Sequence, residues 1–158
     1  MACSPADCMK LNFDGATFEQ GMELGAGMIS RDNLGHCVAW LSKHFRITGI
    51  EELAEALAAR QSIFLAQRRA WKSVVVEGDC AILIYKLQTR VWDLLVEGPV
   101  LTDIFNCALL FQSCLFSCVK RSNNAVAHFF AHYASDYAEG DSVIPSIVVR
   151  LVASDGLP

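Results

Sequence analysis

The feature that most constrains the fold is a change of sequence pattern near residue 50. Before it, three strand candidates lie at 10–17, 23–31 and 36–45, and the first alternates apolar and polar side chains. The stretch "RDNLG" joins the second and third candidates and is a strong turn signal, with Asp and Asn early and Gly at its end. Consecutive strands with short turns predict an antiparallel meander.

After that point the chain alternates between helices and strands. The segment "IEELAEALAARQSIFLAQRRA" at 50–70 is rich in Ala, Leu, Glu and Gln and free of Gly and Pro, which predicts a long helix. The remaining predictions are strands at 72–79 and 114–121 and helices at 80–90, 99–113 and 123–138. The order β-β-β-α-β-α-α-β-α predicts an α/β domain, a mixed α+β fold. Its sheet would have five strands, three antiparallel and two parallel, with helices on both faces and right-handed crossovers.

The predicted domain occupies residues 10–138. Residues 1–9 are predicted to be an N-terminal tether, and residues 139–158 a C-terminal tail with a short extended piece at 147–152. The chain of 158 residues is 53% hydrophobic and 19% charged, which favours a packed core over disorder.

Composition also restricts the compartment and the partners. No apolar run reaches the ~18 residues that a membrane helix requires. The first ten residues lack the basic and apolar regions of a signal peptide. Seven cysteines, an odd number without a Cys-x-x-Cys pair, indicate free thiols in a reducing, intracellular compartment, nuclear or cytoplasmic. The alternative is a zinc site that joins Cys114 and Cys118 to His128 or His132.

Three acidic residues occupy positions where a charge is unexpected. Asp14 stands within the first strand, where Asp is unfavourable, and Asp79 ends the fourth strand. Glu55 heads a stripe of small residues that would let its helix lie close to the sheet. That stripe consists of Ala58, Ala59, Ser62 and Ala66.

Each acid has an ordinary explanation by itself. Asp14 could belong to a turn or bulge, Glu55 could be a solvated helix acid, and Asp79 could cap the helix that begins at Cys80. Together, however, they converge from two strands and a packed helix and would repel one another without a cation. Oxygen ligands favour Mg²⁺ or Mn²⁺. Two such ions ~3.5–4 Å apart can activate water against a phosphodiester.

Five segments in order resemble the ribonuclease H type 1 family, in the reverse-transcriptase-like form that is common in plant genomes and related to retroelement polyproteins. These segments are "KLNFDGA", "GAGMISRDNLG", "ELAEALAA", "VVVEGD" and "VKRSNNAVAH". The resemblance covers about residues 9–138. It implies an RNase H-like fold and an endoribonuclease that cleaves the RNA strand of RNA–DNA hybrids with two Mg²⁺ ions, for which Mn²⁺ can substitute.

The resemblance also assigns residues. Asp14, Glu55 and Asp79 match three of the family's four metal-site acids, and His128 stands where the fourth acid is expected. The family's Arg-x-x-Asn-x-x-Ala pattern is kept by Arg121 and Asn124. Gly15, Arg121 and Asn124 are therefore expected to contact substrate. Of the i, i+4 pair His128 and His132, one is expected to line the site and the other to pack, with a helical zinc pair as the alternative.

Several departures from the family point to weak substrate binding. Glu51-Glu52-Leu53 replaces the residues that read the RNA 2′-hydroxyl, and the loop "FSCVKRSN" lacks the family's mobile His. The basic, Trp-bearing handle has no counterpart. Arg68, Arg69 and Lys72 form the nearest basic cluster, or simply a solvated helix end, and Trp71 is expected in the core.

These departures leave more than one function open. The net charge of −4 argues against tight nucleic-acid binding by this domain alone. We expect a monomer that a tethering domain or partner helps to bind its hybrid. The competing hypothesis is a domesticated, catalytically weak or inactive module that binds nucleic acid or protein. A third reading is an unrelated α/β domain with accidental acids.

Overall fold

The computed structural model describes residues 7–90, 97–133 and 137–146. It contains one mixed sheet of six strands and four α-helices among these residues. The strands are β1 (Cys8–Phe18), β2 (Glu23–Arg31), β3 (Cys37–Phe45), β4 (Ser73–Gly78), β5 (Ser113–Cys118) and β6 (Tyr137–Gly140). The helices are α1 (Glu51–Arg68), α2 (Ala81–Thr89), α3 (Gly98–Ala108) and α4 (Ala125–His132).

The sheet has the order β5-β4-β1-β2-β3-β6. Strands β1, β2 and β3 form the predicted antiparallel meander, and β4 and β5 continue the sheet in parallel from β1. The fold class predicted from the sequence is confirmed. The register places Asp14 opposite Gly27 on β2, well inside β1, so Asp14 is neither a turn nor a bulge residue.

The predicted count of five strands was wrong by one. The last helix was predicted over 123–138 but ends at His132, and Tyr133 has extended backbone angles. Strand β6 then pairs with β3, whose edge would otherwise expose unpaired backbone groups. Gly140 permits this approach, because a Cβ there would lie 2.3 Å from Nε1 of Trp40. That indole nitrogen donates to the carbonyl of Val143 at 3.0 Å.

Helices cover both faces of the sheet, as predicted. One core lies between the sheet and α1, α2 and α3, where Leu11 and Phe13 of β1 are fully buried. On the other face α4 packs against β1, β2 and β3, and Trp40 stacks on Phe130 with ring centroids 4.9 Å apart. Because side chains alternate along a strand, Asn12 and Asp14 point toward the α4 face. Trp71 packs against the first core as expected.

Some element boundaries differ from the predictions, and some predictions lie outside the described residues. Strand β1 begins two residues before the predicted 10–17, and α3 ends five residues before the predicted 113. The extended piece predicted at 147–152 falls outside the described part of the chain. The six described cysteines are free thiols, and burial raises the pKa of Cys114 to about 12. Within the described residues, no helix is both long and apolar enough to cross a membrane.

Candidate metal centre

Three carboxylates, two of them buried, meet at one edge of the sheet. Asp14 and Glu55 are each 3% exposed, and Asp79 is half-buried. One carboxylate oxygen from each of the three lies within 4.8 Å of the others. This is the only group of three or more His, Cys, Asp or Glu side chains among the described residues that is placed to hold a metal ion. The alternative zinc site at Cys114 and Cys118 therefore does not form there.

The topology brings the two aspartates together. Strands β1 and β4 run parallel as neighbours, with Asn12 opposite Glu77, so Asp14 and Asp79, each two residues further along, come close together where β4 ends. Asp79 directly follows β4 at that edge. It does not cap the next helix, because Cys80 is the N-cap residue of α2 and no side-chain cap hydrogen bond is formed.

Close packing of α1 on β1 brings in Glu55. A Cβ at Gly15 would lie 2.3 Å from the carbonyl carbon of Ala54 and 2.4 Å from the amide nitrogen of Glu55, so only glycine allows this approach. The backbone N–H of Gly15 donates a hydrogen bond to the Glu55 carboxylate. The Gly15 that the resemblance marks as a substrate contact thus has a structural task as well, which is to seat the helix that carries Glu55.

The carboxylates destabilise one another in the absence of a cation. Burial raises the pKa of Glu55 to about 10, with further increases from the charge of Asp14, a hydrogen bond with Asp14 and the charge of Asp79. Burial and the charge of Asp14 also raise the pKa of Asp79, while Arg121 opposes that rise. Oε2 of Glu55 is buried and has no hydrogen-bond partner among the described residues. An unpartnered buried oxygen beside two more carboxylates fits a hard divalent cation.

His128 lies beside the cluster rather than within it. Its Nδ1 is 2.7 Å from Oδ2 of Asp14, and its side chain is 59% exposed, on the open side of the cleft. The structure therefore pairs this predicted fourth ligand with the first carboxylate. It does not place His128 among the three clustered oxygens.

The two residues of the Arg-x-x-Asn pattern have different environments. The Arg121 side chain is 86% exposed, and its Nε lies 3.5 Å from Oδ2 of Asp79, at the mouth of the cleft. Asn124 is 1% exposed and does not line the cleft. Its Nδ2 donates to the carbonyl of Phe13 at 2.8 Å, and its backbone carbonyl accepts from the amide of His128. Asn124 thereby ties the start of α4 to the residue before Asp14.

The carboxylates line an open cleft of about 180 Å³. Sequence reasoning missed part of its lining. The His of the i, i+4 pair that was expected to pack, His132, is exposed and lines the cleft. Glu51 and Thr17 also line it. The i, i+4 spacing was the available signal for His132, which is the last residue of α4.

The basic cluster predicted at the end of α1 is occupied by local ion pairs. Arg69 contacts Asp141 at 2.6 Å, and Arg68 contacts Glu139 at 3.1 Å. These contacts join the end of α1 to β6 and to the turn that follows it. They favour the interpretation of this cluster as a solvated helix end, in place of a counterpart of the family's basic handle.

Comparisons with known proteins agree with this architecture. A family model described as reverse transcriptase-like matches residues 12–134. The fold is similar to RNase H1 from the halophilic archaeon Halobacterium salinarum NRC-1, with TM-score 0.70 and 21% identity over 80% of this chain and 96% of that one. It is also similar to the N-terminal RNase H domain of a Mycobacterium tuberculosis protein, with TM-score 0.73 and 17% identity over 82% of this chain and 94% of that one.

A third similar structure contains a nucleic acid. It is LC11-RNase H1, isolated from compost by a metagenomic approach and solved in complex with an RNA/DNA hybrid. The TM-score is 0.73, with 17% identity over 81% of this chain and 96% of that one. Among curated protein sequences, none matches this chain.

Proposed function

Since the chain belongs to the reverse transcriptase-like family and has the fold of ribonuclease H1, we propose that it is a divalent-metal-dependent endoribonuclease. Its substrate would be the RNA strand of RNA–DNA hybrids. The observation that supports this most strongly is the cluster of Asp14, Glu55 and Asp79 with the unpartnered oxygen of Glu55. The hybrid bound to the structurally similar LC11-RNase H1 supports the choice of substrate.

The clustered carboxylates would hold the metal, with His128 as a looser fourth ligand. Two Mg²⁺ ions, or Mn²⁺ in their place, would activate a water and stabilise the leaving oxygen of an in-line displacement, leaving a 3′-hydroxyl and a 5′-phosphate. His128 donates from Nδ1 to Asp14 and so holds that carboxylate in one orientation. Arg121 lies at the mouth of the cleft with its guanidinium exposed, where it can bind a substrate phosphate.

Substrate affinity would come partly from elsewhere. The net charge of −4 and the acidic lining of the cleft oppose the approach of a polyanion. We therefore propose a catalytic domain that acts as a monomer and is delivered to its hybrid by a tethering domain or a partner. The predicted bounds of 10–138 are too narrow for this domain, because β1 begins at Cys8 and β6 extends to Gly140. The residues before β1 and those at the end of the chain would be the connections.

Hybrid cleavage tests the proposal directly. A labelled RNA–DNA hybrid is incubated at low salt with the protein and Mg²⁺ or Mn²⁺, beside the variant Asp14→Asn. We expect metal-dependent cleavage of the RNA strand that disappears in the variant. A folded wild-type protein that cleaves the hybrid with neither metal would contradict the proposed endoribonuclease activity.

A second candidate is a binding module without catalysis, and the environment of two glutamates favours it. Glu52 lies where residues that contact the RNA 2′-hydroxyl are expected. Its Oε1 forms an ion pair with Nζ of Lys86 at 2.6 Å. Glu51 adds a further acid to the cleft. Thermal unfolding with and without Mg²⁺ or Mn²⁺ separates the candidates. A functional metal centre gains about 2.7 kcal/mol at a metal concentration of 100 Kd, whereas an inactive module has no reason to respond.

A further inference from the structure

We propose that His128 and His132 form a second binding site, for a transition-metal ion of the zinc, cobalt or nickel class, at the rim of the acid cleft; this site shares His128 with the proposed metal centre. This site does not depend on the proposed nuclease activity, and it differs from the carboxylate cluster in both its donor atoms and its preferred ion. The i, i+4 spacing of this pair allows a helical metal site as the alternative to one lining and one packing residue. The contacts of the two rings in the structure support it.

The two imidazoles are neighbours on the open face of α4. They stand one helical turn apart, and their ring centroids are separated by 4.2 Å. His128 is 59% exposed at its side chain, His132 is exposed, and both line the cleft. An ion could therefore reach both rings from solvent.

Hydrogen bonds hold both rings in the tautomer that a metal requires. Nδ1 of His128 lies 2.7 Å from a carboxylate oxygen of Asp14, and Nδ1 of His132 lies 2.9 Å from the backbone carbonyl of His128. Carboxylate and carbonyl oxygens accept hydrogen bonds, so in this arrangement each Nδ1 is the donor and carries the hydrogen. In the neutral ring this leaves the lone pair on Nε2 in both residues.

This arrangement is the one that outer-shell partners give to metal-binding histidines. A ligating imidazole almost always donates its other N–H to a carboxylate or a carbonyl, which fixes the ring and raises its basicity. Here both partners are already in place without an ion. The Phe18 ring also packs against His132 in a T-shaped contact, with centroids 5.6 Å apart.

The donor atoms determine the class of ion. Imidazole nitrogen suits Zn²⁺, Co²⁺ and Ni²⁺, whereas Mg²⁺ prefers carboxylate, carbonyl and water oxygens. Two protein ligands leave the other positions of the ion open to water or to a phosphate oxygen. Because His128 also contacts Asp14, an ion on the histidine pair would adjoin the acid cluster without using its oxygens.

A Zn²⁺ titration followed by NMR of the imidazole nitrogens tests the proposal on the full chain. Before zinc is added, we expect both rings in the Nδ1–H tautomer. During the titration, the Nε2 resonances of His128 and His132 should shift together, while those of His36 and His44 should not. A shift of one ring alone, an equal shift of all four histidines, or no shift at all would overturn the site.

Two variants test the zinc affinity by calorimetry. The variant His132→Ala removes one of the two exposed rings and should weaken zinc binding by about tenfold or more. The matched control His36→Ala removes another exposed histidine, which lies beside Asp32, and should leave zinc binding unchanged. Unchanged affinity in His132→Ala, or an equal loss in the control, would refute the proposal.

Asp14→Asn separates the two metal sites. The variant breaks the carboxylate cluster but keeps an oxygen that accepts from His128. We expect both Nε2 shifts to persist in it, even though hybrid cleavage is lost. Loss of the shifts would mean that the zinc had bound to the carboxylates. Failure of the wild type to cleave the hybrid would contradict the proposed endoribonuclease activity. It would not affect the evidence for zinc binding by the histidine pair.

Discussion

At the scale of single residues, Glu55 is an acid whose ionisation is strongly opposed by its surroundings in the site. It is buried beside two other acids, and its pKa is raised to about 10. Without a cation it therefore retains its proton at neutral pH, whereas in the unfolded chain its pKa is near 4.5. The stability that the protonated group contributes is fully present below pH 4.5 and is lost progressively as the pH rises toward 10.

Glu55→Gln should remove this pH dependence. We expect the metal-free variant to gain stability over the wild type as the pH increases from 5 to 9. The gain should reach at least about 1 kcal/mol, since one pKa unit corresponds to about 1.4 kcal/mol. Urea unfolding in a chelator at both pH values measures the difference.

Glu51→Gln serves as the control, because Glu51 is an exposed acid that lines the same cleft. This variant should retain the wild-type pH dependence. Added Mg²⁺ should stabilise the wild type and Glu51→Gln but not Glu55→Gln. A wild-type stability that does not change with pH would contradict a buried, protonated Glu55.

At the scale of elements, glycines determine how closely the helices approach the sheet. Gly15 allows α1 to pack closely against β1, while Gly25 and Gly27 allow α4 to pack closely against β2. A Cβ at Gly25 would lie 2.2 Å from the carbonyl oxygen of Ala131, a clash as severe as the one at Gly15. The two faces of the sheet thus offer equivalent positions that affect different helices.

Gly15→Ala should separate stability from metal binding. Both Gly15→Ala and its matched control Gly25→Ala should lower the free energy of unfolding by about 1–3 kcal/mol, the usual effect of overpacking. Only Gly15→Ala moves the helix that carries Glu55, so only this variant should also lose stabilisation by Mg²⁺. Denaturation with and without metal measures both effects. An equal loss of stabilisation by Mg²⁺ in Gly25→Ala would show that metal binding does not depend specifically on the close packing of α1 against β1.

At the scale of the whole molecule, the charge distribution limits nucleic-acid affinity. The chain is net negative, and the cations on α1 are paired locally, as Arg60 is with Asp103 at 2.9 Å. Arg121 lines the acid cleft, and the exposed Lys120 precedes it in the sequence. Few phosphates would therefore be neutralised when a hybrid binds.

Hybrid binding should accordingly depend only weakly on salt. We expect a slope of log K against log salt no steeper than roughly −2 to −3, since each neutralised phosphate contributes about −0.9. Arg121→Ala should reduce the magnitude of that slope by about 1, and the control Arg60→Ala should leave it unchanged. Fluorescence anisotropy over a salt series measures the slope. A steep slope, or one that Arg121→Ala does not alter, would place the phosphate contacts elsewhere.

The sequence by itself determined the order of the predicted elements, the meander and the identity of the three acids. Local propensity and turn chemistry are properties of short segments, so the long Ala-rich α1 and the turn before β3 were readable without a structure. The convergence of Asp14, Glu55 and Asp79 was also predictable, because parallel neighbours share a carboxyl edge.

Only the tertiary structure decided what depends on contacts between distant segments. Strand β6 pairs with the edge of β3, α4 ends at His132, and the ring of His132 is exposed. The raised pKa of Glu55 requires burial by α1 against Gly15, and the burial of Asn124 requires the carbonyl of Phe13. Such features arise from long-range packing, for which a single sequence carries no local signal.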